Sequence, residues 1–402
     1  MGALGIILFA LGIAASVALH EAGHMFTARA FDMRVRRYFI GFGPPLWSTT
    51  RGHTEYGIAA LPLGGFCEIA GMTAQDEVTE EEAPHAMVNK PAWQRVAVMV
   101  GGIAMNLLIG VVLVYLVAVF TGIPNPDADR TPRVGELSCT SDQVDQETLA
   151  ECSGPGPAER AGLRSGDTLV AVDGQDLKDF VSLRDYVYAR PGQTVAITVL
   201  RDAAEYTFDV NVDTVTRLNP QTGEAVEAGA IGMAPAPVED AVKQYDPVAA
   251  VPAAAKLSGQ MLDSTVDGIA SFPSKIPGVV ASVFGGERDA EGPVSIIGAS
   301  RAGGELAERS AWPVFWLMLA SLNFFLGLFN LVPLPPLDGG HIAVIIYQQL
   351  RDLVRRGRGL PPGPPVDYTL LMPVTYVVAV ALLVIGLIVM LADVINPVSL
   401  FG

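Results

Sequence analysis

The stretch His20-Glu21-Ala22-Gly23-His24 lies inside an apolar run that extends from residue 3 to about residue 30, and the rest of the chain is read outward from it. Two histidines four apart project from one helix face. Their ring nitrogens can hold a single zinc, and the adjacent Glu21 can take a proton from an attacking water. The plain alternative is chance spacing, with both histidines as surface or satisfied core groups. Residues 1–19 carry no charge, however, so Glu21 is an ionisable group at membrane depth, where such groups are costly and mark function.

A chain of 402 residues, half of them hydrophobic, is too apolar for a soluble multidomain protein and has room for several spans plus a domain. The net charge of -16 excludes nucleic acid as a partner, since that would require a basic face. Most of the acidic excess lies in residues 121–311, which hold 29 acidic and 15 basic side chains.

Four runs have the length and composition of transmembrane helices: residues 1–31 with the histidine pair, 96–120, 312–332 and 368–391. A cleaved signal peptide is the rival reading of the first run. That run lacks a basic start, and its first charge is Glu21, so a retained helix is expected. All 11 basic residues outside 121–311 fall in 29–95 or 351–358, which places those connections in the cytoplasm and both termini outside, together with the long central segment.

The first connection, 32–95, contains Gly41-Phe-Gly-Pro-Pro-Leu-Trp47 and a second apolar stretch over residues 55–69, both punctuated by Gly and Pro as hairpins are. These read as strands dipping into the bilayer beside the metal, where non-helical backbone survives if protein covers it or it lines a wet cavity. Gly64, Gly65, Phe66 and Ile69 are the candidates for binding an extended substrate by strand addition. A hairpin resting on the headgroups is the alternative. Residues 76–82 read as a solvated acidic stretch, His53 and His85 as surface histidines, and Cys67 as a free thiol. Asn106, with Gly101, Gly102 and Gly110, reads as helix packing in the second span.

Residues 130–215 alternate like a small α+β domain: a strand at 134–137, a helical turn and loop over 156–167, a strand at 168–172, a helix at 182–189, and a hairpin from 194–200 and 206–212. The run Pro157-Ala-Glu-Arg-Ala-Gly-Leu-Arg-Ser-Gly-Asp-Thr-Leu-Val-Ala-Val-Asp-Gly174 resembles PDZ domains, which implies a module that recognises or excludes substrates, although its carboxylate loop at 133–136 is degenerate. Cys139 and Cys152, on the oxidising side, are candidates for a disulfide closing a short loop. Residues 240–305 suggest short helices on the membrane surface, broken at Pro252, Pro273 and Pro277, that either gate the site or merely connect; Glu291 opens the stretch leading into the third span.

Residues 312–341 then supply a third ligand. Pro333, Pro335 and Pro336 break the helix just before Asp338, so its carboxylate can be aimed at the metal. His20, His24 and Asp338 give two nitrogens and one oxygen with a fourth position free, the catalytic rather than the structural pattern of zinc. A helix-capping Asp338 is the bland alternative. His341 is read as supporting the ligands from behind or as a fourth donor.

His20-Glu-Ala-Gly-His24 in a first span, residues 330–340 as Asn-x-x-Pro-x-Pro-x-Leu-Asp-Gly-Gly in a late one, and one PDZ-like domain between them resemble the site-2 protease family. The arrangement is most similar to bacterial regulated intramembrane proteases, in particular the actinobacterial branch with a single PDZ domain. The resemblance implies an α-helical membrane protein with a membrane-reentrant β element and an extracytoplasmic α+β PDZ domain, in the plasma membrane of a bacterium. It implies an enzyme with one zinc per chain, in which Glu21 is the base and Asn330 holds the substrate or its oxyanion. The implied partners are single-pass membrane proteins such as anti-sigma factors, already cut outside by a site-1 protease. A catalytically silent PDZ scaffold would need neither Glu21 nor Asp338, and a zinc transporter would need ionisable residues through several spans; spans two and four have almost none before Asp393.

Overall fold

The computed structural model describes residues 2–398 except 74, 126–127, 146–147, 219–224, 287, 290–291 and 365, and excludes the side chains of Pro62 and Leu63; Met1 and Glu291 therefore lie outside the described residues. The chain divides into two compact units, one formed by residues 1–123 and 244–400 and the other by 124–243.

Among the described residues, four helices of the first unit are long and apolar enough to cross a membrane: α1 (Gly2–Ala30), α2 (Ala92–Phe120), α7 (Trp312–Asn330) and α9 (Met372–Ile395). The second starts four residues earlier than expected. Small residues let these helices close on each other. A Cβ on Gly23 of α1 would stand 2.2 Å from the Gly101 carbonyl oxygen of α2, so only glycine permits this approach. The α1–α2 seam buries Ala22, Met25, Val98, Met99 and Ile103 in one cluster.

Between α1 and α2 run β1 (Val35–Arg51) and β2 (Thr54–Ile69), antiparallel and each bent in the middle. Residues of the first half of β1 have partners on both sides: Phe39 faces Phe66 and also Gly57, while Trp47 in the second half faces Ile58. Two long strands thus make four short segments in the order 65–69, 35–40, 54–58, 47–51, with 65–69 and 47–51 as the edges. Gly41, at φ +93°, allows the bend; a Cβ there would lie 2.9 Å from the Ala59 and Leu61 carbonyl oxygens. The 76–82 stretch keeps Glu77, Glu80 and Glu81 exposed, as a solvated stretch would, but its two ends are pinned. Arg36 donates to Glu82 at 2.9 and 2.8 Å and to Asp76 at 3.0 Å, and these bonds hold the Glu82 carboxyl down to about 2.

Residues 240–305 correct the expectation of short surface helices. Helix α5 (Ala250–Val283) runs unbroken for 34 residues through Pro273 and Pro277, and α6 (Ile296–Glu308) follows. Each proline deletes one backbone bond, but α5 is held along its length by packing: Ala254 joins Val114, Ala320 and Phe324, and Val279 joins Val389 and Ala392. The basic stretch expected as a connection after the third span is likewise the end of a helix, α8 (Asp338–Gly357), which buries Ile342 and Ile345.

The second unit is built on a four-stranded antiparallel sheet in the order Gln175–Asp176, Thr168–Val172, Thr194–Arg201, Ala204–Asn211, with helices α3 (Pro157–Ala161) and α4 (Phe180–Tyr188). Its core joins Val134, Leu163, Leu169, Leu183, Val195, Ile197 and Val210. Cys139 and Cys152 are joined by a disulfide. The unit runs past the expected boundary at 215, because Met233–Pro235 returns to pair with Val134–Leu137 and Ile231 enters the core.

Candidate active site

His20 and His24 sit one turn apart on the buried face of α1, and the α1 helix continues only six residues past His24, about 9 Å at 1.5 Å per residue. The site is therefore within the apolar length of the helix but near one end. Asp338 reaches it from a different element. Helix α7 stops at Asn330, residues 331–337 carry three prolines that cannot continue it, and α8 begins at Asp338. The glycine pair after the aspartate has a steric cause: a Cβ on Gly339 would lie 2.3 Å from the Val332 carbonyl oxygen, and one on Gly340 would lie 2.8 Å from the Pro335 nitrogen. Only glycines let the connection fold back tightly enough to present Asp338.

The three ligand candidates form a nearly equilateral triangle. His20 Nε2 and His24 Nε2 are 3.2 Å apart, and Asp338 Oδ2 is 3.3 Å from each. A tetrahedral zinc with bonds of about 2.0–2.1 Å has ligand–ligand edges of about 3.3–3.4 Å. The triangle thus already has the dimensions of three corners of a zinc site. Asp338 Oδ2 is buried, with no hydrogen bond besides its 3.3 Å approaches to the two imidazole nitrogens among the described residues, as a group meant for a cation would be. His24 Nδ1 lies 2.8 Å from the Val98 carbonyl oxygen, the support expected behind a metal-binding imidazole.

Glu21 is half-buried beside this triangle, and the hairpin passes over it. A Cβ on Gly65 would lie 3.2 Å from Glu21 Cγ. Phe66 stacks on Phe39 and Phe42 at centroid distances of 5.4 and 6.2 Å. Segment 65–69 is an edge, and no further strand pairs with it among the described residues. Ile69 is 2% exposed, packed with Met25, Met33 and Val35, so its side chain takes the inner face of the sheet, and its place in the edge segment offers a substrate strand its backbone rather than its side chain.

Asn330 closes α7, half-buried, and makes no side-chain hydrogen bond among the described residues. His341, one turn into α8, stacks on Tyr368 at 5.8 Å. Sequence reasoning missed the role of Asn106. This residue, 1% exposed, places its amide nitrogen 3.1 Å from His20 Nδ1, so the polar group read as interhelical glue touches a ligand candidate. The signal was an asparagine in an otherwise apolar span. Asp393, the charge in the last span, is paired with Arg288 at 2.7 Å, both side chains being almost wholly buried.

A bundle of membrane-length helices that brings two histidines, a carboxylate and a glutamate to one point is the layout of a hydrolytic metalloenzyme that works within the membrane. Comparison with known proteins makes the class specific. The family model for Peptidase family M50 matches residues 8–359, and the chain belongs to that family. It is 46% identical to zinc metalloprotease Rip1 of Mycolicibacterium smegmatis over the whole of both chains. It is 43% identical to zinc metalloprotease Rip1 of Mycobacterium tuberculosis over 99% of this chain and 98% of that one. Identity to the regulator of sigma E protease of Salmonella typhi is 28%, over 85% of this chain and 90% of the relative. The protein is a multi-pass intramembrane metalloprotease, and its cofactor is zinc.

Proposed function

We propose that His20, His24 and Asp338 hold the zinc and that Glu21 is the general base in cleavage of a peptide bond inside the membrane segment of a single-pass protein. The observation that carries this reading is the 3.2–3.3 Å triangle of ligand atoms with Glu21 beside it. Zinc held by these three residues would supply the Lewis acid that acidifies the attacking water and polarises the scissile carbonyl. Glu21 accepts the proton of the attacking water and returns it to the leaving amine. Asn330, at the end of α7, donates to the oxyanion of the tetrahedral intermediate.

A membrane helix hides its own carbonyls, so the substrate must unwind at the cut. The free edge at Gly64, Gly65 and Phe66, next to Glu21, supports pairing of the unwound segment with this strand, which replaces lost helical hydrogen bonds. The hairpin is then a membrane-reentrant element. The basic residues of 29–95 and 351–358 support a cytoplasmic side for these connections, with both termini and residues 124–243 outside, in the plasma membrane of a bacterium. We read residues 124–243 as a PDZ domain that selects substrates. Its strand and helix order supports that reading, the name of the sigma E relative supports anti-sigma factors as the substrate class, and the resemblance to the site-2 proteases implies that a site-1 protease trims them outside first.

The test is cleavage by the reconstituted protein of two single-pass reporters, one with a short outer stub and one with an intact outer domain. Zinc-dependent cleavage within the hydrophobic segment of the short form alone is the expected result; equal cleavage of both forms removes the selection step, and cleavage outside the hydrophobic segment removes the intramembrane assignment.

A further inference from the structure

Asn106 presents a chemical conflict that the zinc site resolves. As placed, its amide nitrogen lies 3.1 Å from His20 Nδ1, while its Oδ1 is buried with no hydrogen-bond partner among the described residues. An amide nitrogen is only a donor, so this contact is a hydrogen bond only when His20 Nδ1 carries a lone pair. A neutral imidazole has one proton, which then resides on Nε2. Nε2, however, is the atom 3.2 Å from His24 Nε2 and 3.3 Å from Asp338 Oδ2, at the corner of the ligand triangle. An imidazole that binds metal through Nε2 has its proton on Nδ1 and needs an acceptor there.

We infer that in the zinc-bound enzyme Asn106 Oδ1, rather than the amide nitrogen, faces His20 Nδ1, accepting from Nδ1–H and fixing the metal-binding tautomer; the carboxamide orientation rotated by 180° gives this arrangement. The rotation exchanges two groups of nearly equal size and requires no movement of α2. It puts the amide nitrogen where the oxygen now stands, still without a side-chain partner, so His20 decides the orientation rather than the rest of the carboxamide's surroundings. The two histidines are then served alike, His24 Nδ1 by the Val98 carbonyl oxygen and His20 Nδ1 by Asn106, both from α2. Asn106 touches no substrate in this scheme and acts as a positioning residue. Its place on α2 makes the α1–α2 seam, closed by Gly23, Gly101 and Gly102, part of the metal site's construction.

The inference rests on His20 as a zinc ligand, and the test separates the two. Zinc affinity is measured by chelator competition on the purified full chain, with visible spectra of the cobalt-substituted form, for the wild type, His20→Ala, Asn106→Leu and Asn106→Asp. Loss of the acceptor in Asn106→Leu is expected to weaken zinc 10–100-fold and alter the cobalt spectrum, with the metal-free melting temperature close to that of the wild type. Asn106→Asp, an acceptor with no donor, is expected to keep zinc at near wild-type affinity. If Asn106→Leu binds zinc like the wild type, or Asn106→Asp loses it to the extent that Asn106→Leu does, folded or not, the inference is wrong. If His20→Ala binds zinc undiminished, the ligand assignment fails instead.

Discussion

Gly102 sits where α2 meets both imidazoles, and adding one methyl there is a sharp perturbation of the metal site. A Cβ at this position would stand 2.3 Å from His24 Nε2 and 2.8 Å from His20 Cε1. Carbon and nitrogen need about 3.5 Å, so the His24 ring must retreat by about 1 Å or the helices must part. Zinc sites tolerate distance errors of about 0.2 Å, and overpacking of a seam costs about 1–3 kcal/mol in any case. Gly102→Ala is therefore expected to weaken zinc binding by at least about 100-fold, equivalent to roughly 3 kcal/mol. The assay is zinc per chain and chelator competition on detergent-purified protein, together with kcat/KM on a trimmed reporter. Gly259→Ala is the control: nothing lies within 4 Å of a Cβ in that part of α5, and the change is expected to keep zinc and stabilise the helix by about 0.5–1 kcal/mol. A Gly102→Ala protein that binds zinc within threefold of the wild type and cleaves normally would refute the packing argument.

Other regions give independent tests. The Arg36 hydrogen bonds hold the folded Glu82 carboxyl at about 2 against an ordinary 4.5, so its contribution to stability is full above pH 4.5 and is lost as pH falls toward 2. Protease nicking in residues 71–90 should rise over that window in the wild type and be high at neutral pH in Glu82→Gln; equal nicking of the two at pH 7 contradicts the tie. Asp393→Asn removes the carboxylate that accepts from Arg288 at 2.7 Å and from the Ser295 amide at 2.6 Å, at an expected cost of about 1.5–3 kcal/mol, read as a lower melting temperature of the helical unit. An unchanged melting temperature would show that the pair is dispensable. Removing the Cys139–Cys152 disulfide by the double serine variant should cost the β-rich unit about 3 kcal/mol on the loop-entropy model; urea unfolding of that unit checks it.

Much of the site was legible because its chemistry demands residue types at fixed spacings. Two histidines on one helix turn, and prolines before an Asp-Gly-Gly, can be read without coordinates; the structure adds that both glycines are forced by the fold-back of residues 331–337. Asn106 was visible as a polar group in a span, but which neighbour it faces depends on the rotation of α2 against α1, and that is set by glycine contacts spread over both helices. The side-chain direction of Ile69 was hidden for a related reason. Successive strand residues alternate faces, and its burial follows from the packing of the bent hairpin on α1. The continuity of α5 was hidden because Pro273 and Pro277 act locally as breakers, while the packing that overrides them comes from residues more than a hundred positions away. The return of Met233–Pro235 to Val134–Leu137 is a long-range pairing with no local signature.

The assignment of Glu21 as the base next to a zinc held by His20, His24 and Asp338 is tested most directly by Glu21→Gln. Bound zinc and cleavage of a trimmed single-pass reporter are measured side by side in wild-type and variant protein. Zinc retained at one per chain with cleavage lost is the expected result. Cleavage by Glu21→Gln at the wild-type rate would contradict the central claim.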